Sequence, residues 1–190
     1  MSSRITVEHV STYHYANSVQ SSFNEVRITP MTTTWQTVLD SRVEVRPHVP
    51  LQGYVDYWGS VVHAFDLHQP HDQLTISSRS VVETSPHKPS DATVTWDELR
   101  DERLADLFAE LLAPTRHVPT DPRLVAVSDE MRRWLAPAEV PEAVVDWVRQ
   151  QLEYVPGTTG VHTSALEAWA GGEGVCQDFA HLALALARAM

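Results

Sequence analysis

Gly174-Val175-Cys176-Gln177-Asp178-Phe179-Ala180-His181-Leu182 holds the only cysteine of the chain. It follows Gly171-Gly172-Glu173, and these glycines allow the tight reversal that aims the next segment. From Cys176 onward, Phe179, Leu182, Ala183 and Leu186 recur at helical spacing, so a core helix opens at the cysteine. The first N–H groups of a helix lack intrahelical partners and its N-terminal end is positive, so a thiol placed there is biased towards thiolate, the attacking form. A lone cysteine is also an ordinary small core residue, but its place between a glycine loop and an apolar helix favours the nucleophile. The helix is expected to run through Met190, and an end without cap, glycine or proline reads as a truncation.

Upstream of the glycine run, Ser164 and Glu167 have capping-box spacing for a brief helix through Trp169. Tyr154-Val155-Pro156-Gly157 stops an earlier helix that Pro141 opens, with Val144, Val145, Val148 and Leu152 along it. Asp121-Pro122 opens another through Trp134. Thr95-Trp96-Asp97-Glu98 is a further capping box, and the single stripe Leu104, Leu107, Phe108, Leu111 and Leu112 predicts one helix ended by Pro114.

Before Ser85-Pro86-His87-Lys88-Pro89-Ser90-Asp91-Ala92 the period changes to two. Ile5 and Val7, Val26 and Ile28, Val43 and Val45, Val55 and Tyr57, Phe65 and Leu67, Leu74 and Ile76 alternate with polar residues, which predicts six half-buried strands. Turn residues at Trp58-Gly59-Ser60 and Gln69-Pro70-His71-Asp72 predict consecutive antiparallel hairpins. The fold class is therefore α+β, an antiparallel sandwich or barrel-like domain over residues 1–88 followed by a helical domain over 89–190.

A length of 190 residues supports one large or two small domains without staples. One cysteine excludes an internal disulfide and any in-chain zinc site needing two thiolates, and fits a reducing compartment. Fourteen Lys and Arg against 25 Asp and Glu give a formal charge of −11, so nucleic acid and anionic membrane are poor partners. The first residues show neither signal peptide nor span, and a cytoplasmic location is expected. No metal and no cofactor is implied.

A cysteine nucleophile needs a base, usually histidine, and a group that orients it. His181, five residues on, lies about 140° around the helix from Cys176 and reads as a packing or supporting residue. Asp178 is a helix-start carboxylate or a supporting residue of the site. His162, just before the short helix, is the better in-chain candidate base. Tyr154 is a candidate cleft wall or oxyanion donor, with its hydroxyl expected near the surface, and Gln177 shares that candidacy; Trp147 and Trp169 wall a cleft or fill a core.

Two stretches resemble the bacterial transglutaminase-like family, a branch of the papain-like cysteine superfamily. Tyr154-Val155-Pro156-Gly157-Thr158-Thr159 with Gly174 to Leu182 is similar to its cysteine motif. His9-Val10-Ser11-Thr12-Tyr13-His14-Tyr15, Asn24-Glu25-Val26-Arg27 and Asp56-Tyr57-Trp58-Gly59-Ser60 are similar to its N-terminal β domain. The resemblance implies a Cys-His-Asp triad acting on peptide or protein amides through a thioester, with Cys176 as nucleophile and its backbone N–H helping to bind the oxyanion. It also implies that the His and Asp lie on strands downstream of the cysteine helix, past Met190, so this chain is expected to lack ordinary triad catalysis. An apolar helix face meant for those strands would favour homo-oligomers or aggregation.

Two other readings stand beside the enzyme fragment. One is a non-catalytic scaffold whose β domain binds a peptide or partner. The other is carbohydrate binding through Tyr13, Tyr15, Tyr54, Tyr57 and Trp58, which as strand residues are expected in the core or in cross-strand pairs.

Overall fold

The computed structural model describes residues 2–86 and 93–190, so most of the proline-punctuated link lies outside the described residues. The chain divides into two compact units, Met1–Ser90 and Asp91–Met190.

The first unit contains β1 (Ser3–Val19), β2 (Ser22–Val26), β3 (Gln36–Arg46), β4 (Gln52–Val55), β5 (Val61–Leu67) and β6 (His71–Thr84). They form two three-stranded antiparallel sheets, β1-β6-β3 and β2-β5-β4. Val45, Leu74 and Ile76 of one sheet pack on Val26, Phe65 and Leu67 of the other, which makes a sandwich. Each such side chain contributes about 1.5–3 kcal/mol by leaving water.

Only one of the two expected hairpins forms. β4 and β5 pair around Asp56–Ser60, where Gly59 takes φ 79°. The turn at Gln69–Asp72 instead carries the chain from one sheet to the other, because both edges of the long β6 are taken by β1 and β3. Ile5 and Val7, expected half-buried, are 45% and 48% exposed. They sit at the end of β1 that pairs with Val82 and Ser80, away from the Tyr15–Leu74 end where the sheets meet. Tyr13, Tyr54, Tyr57 and Trp58 are likewise exposed rather than core, and Tyr57 lies in the hairpin turn.

The second unit begins with three short helices, α1 (Trp96–Leu99), α2 (Glu102–Leu107) and α3 (Ala109–Leu112), where one continuous helix is expected from the sequence. Thr95 and Glu98 form the capping box, but Asp101 then caps a new start, accepting from Arg103 N–H at 3.0 Å and pairing with its guanidinium. A side chain that bonds its own backbone in this way competes with helix continuation. None of the residues of these helices is buried, and Leu107, Phe108, Leu111 and Leu112 of the stripe are exposed.

The unit continues with α4 (Pro122–Trp134), α5 (Val140–Gln151), β7 (Glu153–Tyr154), α6 (Ala165–Gly171), β8 (Glu173–Gly174) and α7 (Cys176–Arg188). Leu182, Ala185 and Leu186 of α7 pack on Leu124, Val140, Val144 and Val148 of α4 and α5. The buried Ser128 hydroxyl donates to Leu186 O at 2.9 Å, tying α4 to α7. No helix among the described residues is long and apolar enough to cross a membrane.

Candidate active site

The entrance to α7 is built from glycine chemistry. Gly172 ends α6 in the left-handed region, at φ 72°, where a side chain would be strained. Glu173–Gly174 then pair with Glu153–Tyr154 as two parallel strands, flanked by Glu153 N–H to Gly172 O at 2.8 Å and Val155 N–H to Gly174 O at 3.0 Å. This clamp fixes Val175 in an extended conformation as the N-cap of α7, so Cys176 is the first helical residue. Its thiol is free and exposed.

Valine carries no acceptor, so it cannot cap. Asp178 and Phe179 N–H reach Val175 O at 2.9 and 3.2 Å, while among the described residues nothing accepts from the N–H of Cys176 or Gln177. Two backbone donors at the positive end of a three-turn helix therefore stand open beside the thiol, the arrangement that stabilises an anion there.

Asp178 returns the other half of a capping box. Its Oδ2 accepts from Val175 N–H at 2.8 Å and from the Thr159 hydroxyl at 2.5 Å. The side chain is 0% exposed, and its Oδ1 is buried with no partner. Gly174 makes room for it: a Cβ at that position would lie 2.7 Å from Asp178 Cβ. Gln177 Nε2 donates to Gly160 O at 3.4 Å. The first turn of α7 is thus fastened twice to the Thr158–Gly160 segment. That segment lines an open cleft of about 630 Å³ with Arg116, His162, Thr163, Glu167 and Glu173. Ser164 N–H and hydroxyl hold the Glu167 carboxyl below its ordinary range, with the Arg116 charge adding to the effect. A smaller groove of about 340 Å³, lined by Glu8, Asp40, Arg42, Glu44, Ser77, Ser78 and Arg79, lies on the β1-β6-β3 sheet.

The structure separates the sequence candidates. Tyr154 is 60% exposed, and its ring lies 6.1 Å from that of Phe179 in α7. His162 is exposed on the cleft wall. His181 packs against His117, ring centroids 5.4 Å apart, with its Nδ1 buried and unpartnered. Burial, then the neighbouring His117, push His181 below its ordinary value, and Asp178 opposes them. Trp147 and Trp169 meet edge to face at 5.5 Å, and Trp169 Nε1 donates to Gln151 Oε1, so both serve packing. Among the described residues no hydrogen bond joins Cys176 to a histidine, and no group of His, Cys, Asp and Glu could hold a metal ion. His117, Arg116 and the Thr159 contact escape sequence reasoning. Thr159 lies 19 residues from Asp178, and no periodicity links the two.

Residues 5–83 match the family model described as the bacterial transglutaminase-like N-terminal region, and residues 125–190 match the transglutaminase-like superfamily core. An uncharacterized protein of Mycobacterium leprae is 46% identical over 187 residues, covering 98% of this chain and 67% of that protein. An uncharacterized protein of Mycobacterium tuberculosis is 29% identical over 201 residues, covering 98% of this chain and 62% of its own length. A crystal structure described as that of a "Putative Cysteine Protease" from Cytophaga hutchinsonii superposes with a TM-score of 0.72 at 22% identity. It is covered over 66% of its length and this chain over 100%, a likeness of fold. The chain thus spans about two thirds of the length of the proteins it matches.

Proposed function

The chain belongs to the transglutaminase-like superfamily, and on that footing we propose that it is the cysteine-bearing part of an enzyme that cleaves or transfers amides. The observation that carries this reading is the exposed Cys176 thiol at the first position of α7, beside two uncapped backbone N–H groups. The thiolate attacks the carbonyl carbon of a peptide or protein amide, and the Cys176 N–H stabilises the oxyanion. The C–N bond breaks, the amine leaves with a proton from the base, and a thioester remains on Cys176. Water or a second amine then attacks the thioester and restores the thiol.

The base and its orienting acid are assigned in the same proposal to residues that follow position 190 in a longer protein. This fits the placement of His162 on the cleft wall and of His181 against His117, neither bonded to Cys176. It also fits the greater length of the relatives. Tyr154 and Gln177 then border the acyl site, and self-association uses the α7 face on which Leu184 is exposed.

Iodoacetamide at pH 6 tests the assignment of the nucleophile, because a thiol of ordinary pKa about 8.5 is almost wholly protonated there. Cys176 is expected to react at least about tenfold faster than a model thiol. Slow labelling would favour the non-catalytic scaffold.

A further inference from the structure

We infer that Asp178 and Thr159 are positioning residues that fasten the Thr158–Gly160 wall of the cleft to the cysteine turn, and that a peptide substrate of Cys176 lies along this wall, an inference that rests on the assignment of Cys176 above. Asp178 occupies the third helical position of α7, three residues after the N-cap, and gives one oxygen to two donors from different segments. Val175 N–H fixes the cysteine turn, and the Thr159 hydroxyl fixes the Thr158–Gly160 segment. Hydrogen bonds to a carboxylate are stronger than neutral ones, and burial removes the competition of water. Gln177 supplies the second tie through Gly160 O.

The wall is an exposed loop. Between Thr158 and Thr163 the chain has no helix or strand, and Thr158, Gly160, Val161 and His162 are exposed along it. Gly160 N–H is held by the Thr163 hydroxyl and the Thr158 hydroxyl by Val155 O, so the loop is internally tied. Its link to the cysteine turn is the Asp178 carboxylate and the Gln177 amide. Loss of the Thr159 bond alone spares the Asp178–Val175 tie of the cysteine turn and releases the wall along which a peptide would align. Alignment at the level of an ångström governs attack rates.

The test compares two electrophiles on the 190-residue chain. Iodoacetamide is too small to span from the thiol along the cleft wall, whereas on this inference the peptide part of a peptidyl chloromethyl ketone lies along it. The readout is the ratio of their second-order rate constants at Cys176. The ratio in the wild type is expected to exceed that of a free thiol. Thr159→Val, which removes the hydroxyl at nearly constant volume, is expected to lower the ratio about tenfold with the iodoacetamide rate unchanged. Thr159→Ser, which keeps the donor, restores it. Melting curves accompany each variant, since a general loosening would slow both reagents alike. An unchanged ratio in Thr159→Val, an equal loss in Thr159→Ser, a parallel fall of both rates, or a wild-type ratio no higher than that of a free thiol overturns the inference. Slow iodoacetamide labelling of the wild type itself instead overturns the assignment of the nucleophile.

Discussion

Gly174 and Asp178 share one small volume, and the buried Asp178 side chain leaves no room for a side chain at position 174. A methyl group on Gly174 meets the Asp178 carboxylate stem at 2.7 Å, and that stem is buried and tied at two points, so it cannot swing away. Gly174→Ala should therefore cost about 1–3 kcal/mol in urea unfolding, as overpacking does. His181 sets a second expectation at this scale. Its folded value lies below the ordinary 6.5, so the unfolded chain takes up a proton at a pH where the native one does not. Stability then holds above the unfolded value and falls as pH drops through and below it, levelling off under the folded one. Urea midpoints measured from about pH 7.5 down to about 5 should fall further for the wild type than for His181→Gln. Equal falls would assign the acid sensitivity to other groups.

At the scale of elements, caps and periodicity decide where helices start, and packing decides which of them matter. The Ser164–Glu167 capping box is read from the sequence and present in the structure, with the Ser164 hydroxyl accepting from Glu167 N–H at 3.3 Å. Ser164→Ala should cost about 1 kcal/mol. The stripe from Leu104 to Leu112 reads equally well in the sequence, yet none of its residues is buried and Leu107 is 72% exposed. Leu107→Ser should change stability by less than about 0.5 kcal/mol. Leu182→Ala, on a stripe that does pack, should cost about 2–5 kcal/mol. Comparable losses for Leu107 and Leu182 would show that α1–α3 pack more closely than their exposure indicates.

At the scale of the molecule the chain carries two cores, one between the sheets and one among α4, α5 and α7, and one exposed thiol. Under the proposed function, a labelled-amide assay should find no Cys176-dependent turnover from the 190-residue chain and turnover once the downstream base and acid assigned in that proposal are supplied. Turnover by this chain alone would place the base within it. The six strands, the helix starts at Thr95, Asp121 and Ser164, and the helix that opens on Cys176 were legible in the residues, because alternation, caps and glycines act over a few positions. So was the family, through the cysteine motif and the β-domain stretches. The assignment of β5 and β6 to different sheets was not legible, nor was the exposure of Ile5 and of the α1–α3 leucines. The bond from Thr159 to Asp178 was equally hidden. Each of these depends on which surfaces meet across long stretches of chain, and an apolar or polar pattern states only that a partner is wanted. The sequence by itself determined the local elements and the place of Cys176 at the start of α7; the tertiary structure decided which elements are covered and what holds the cysteine turn in place.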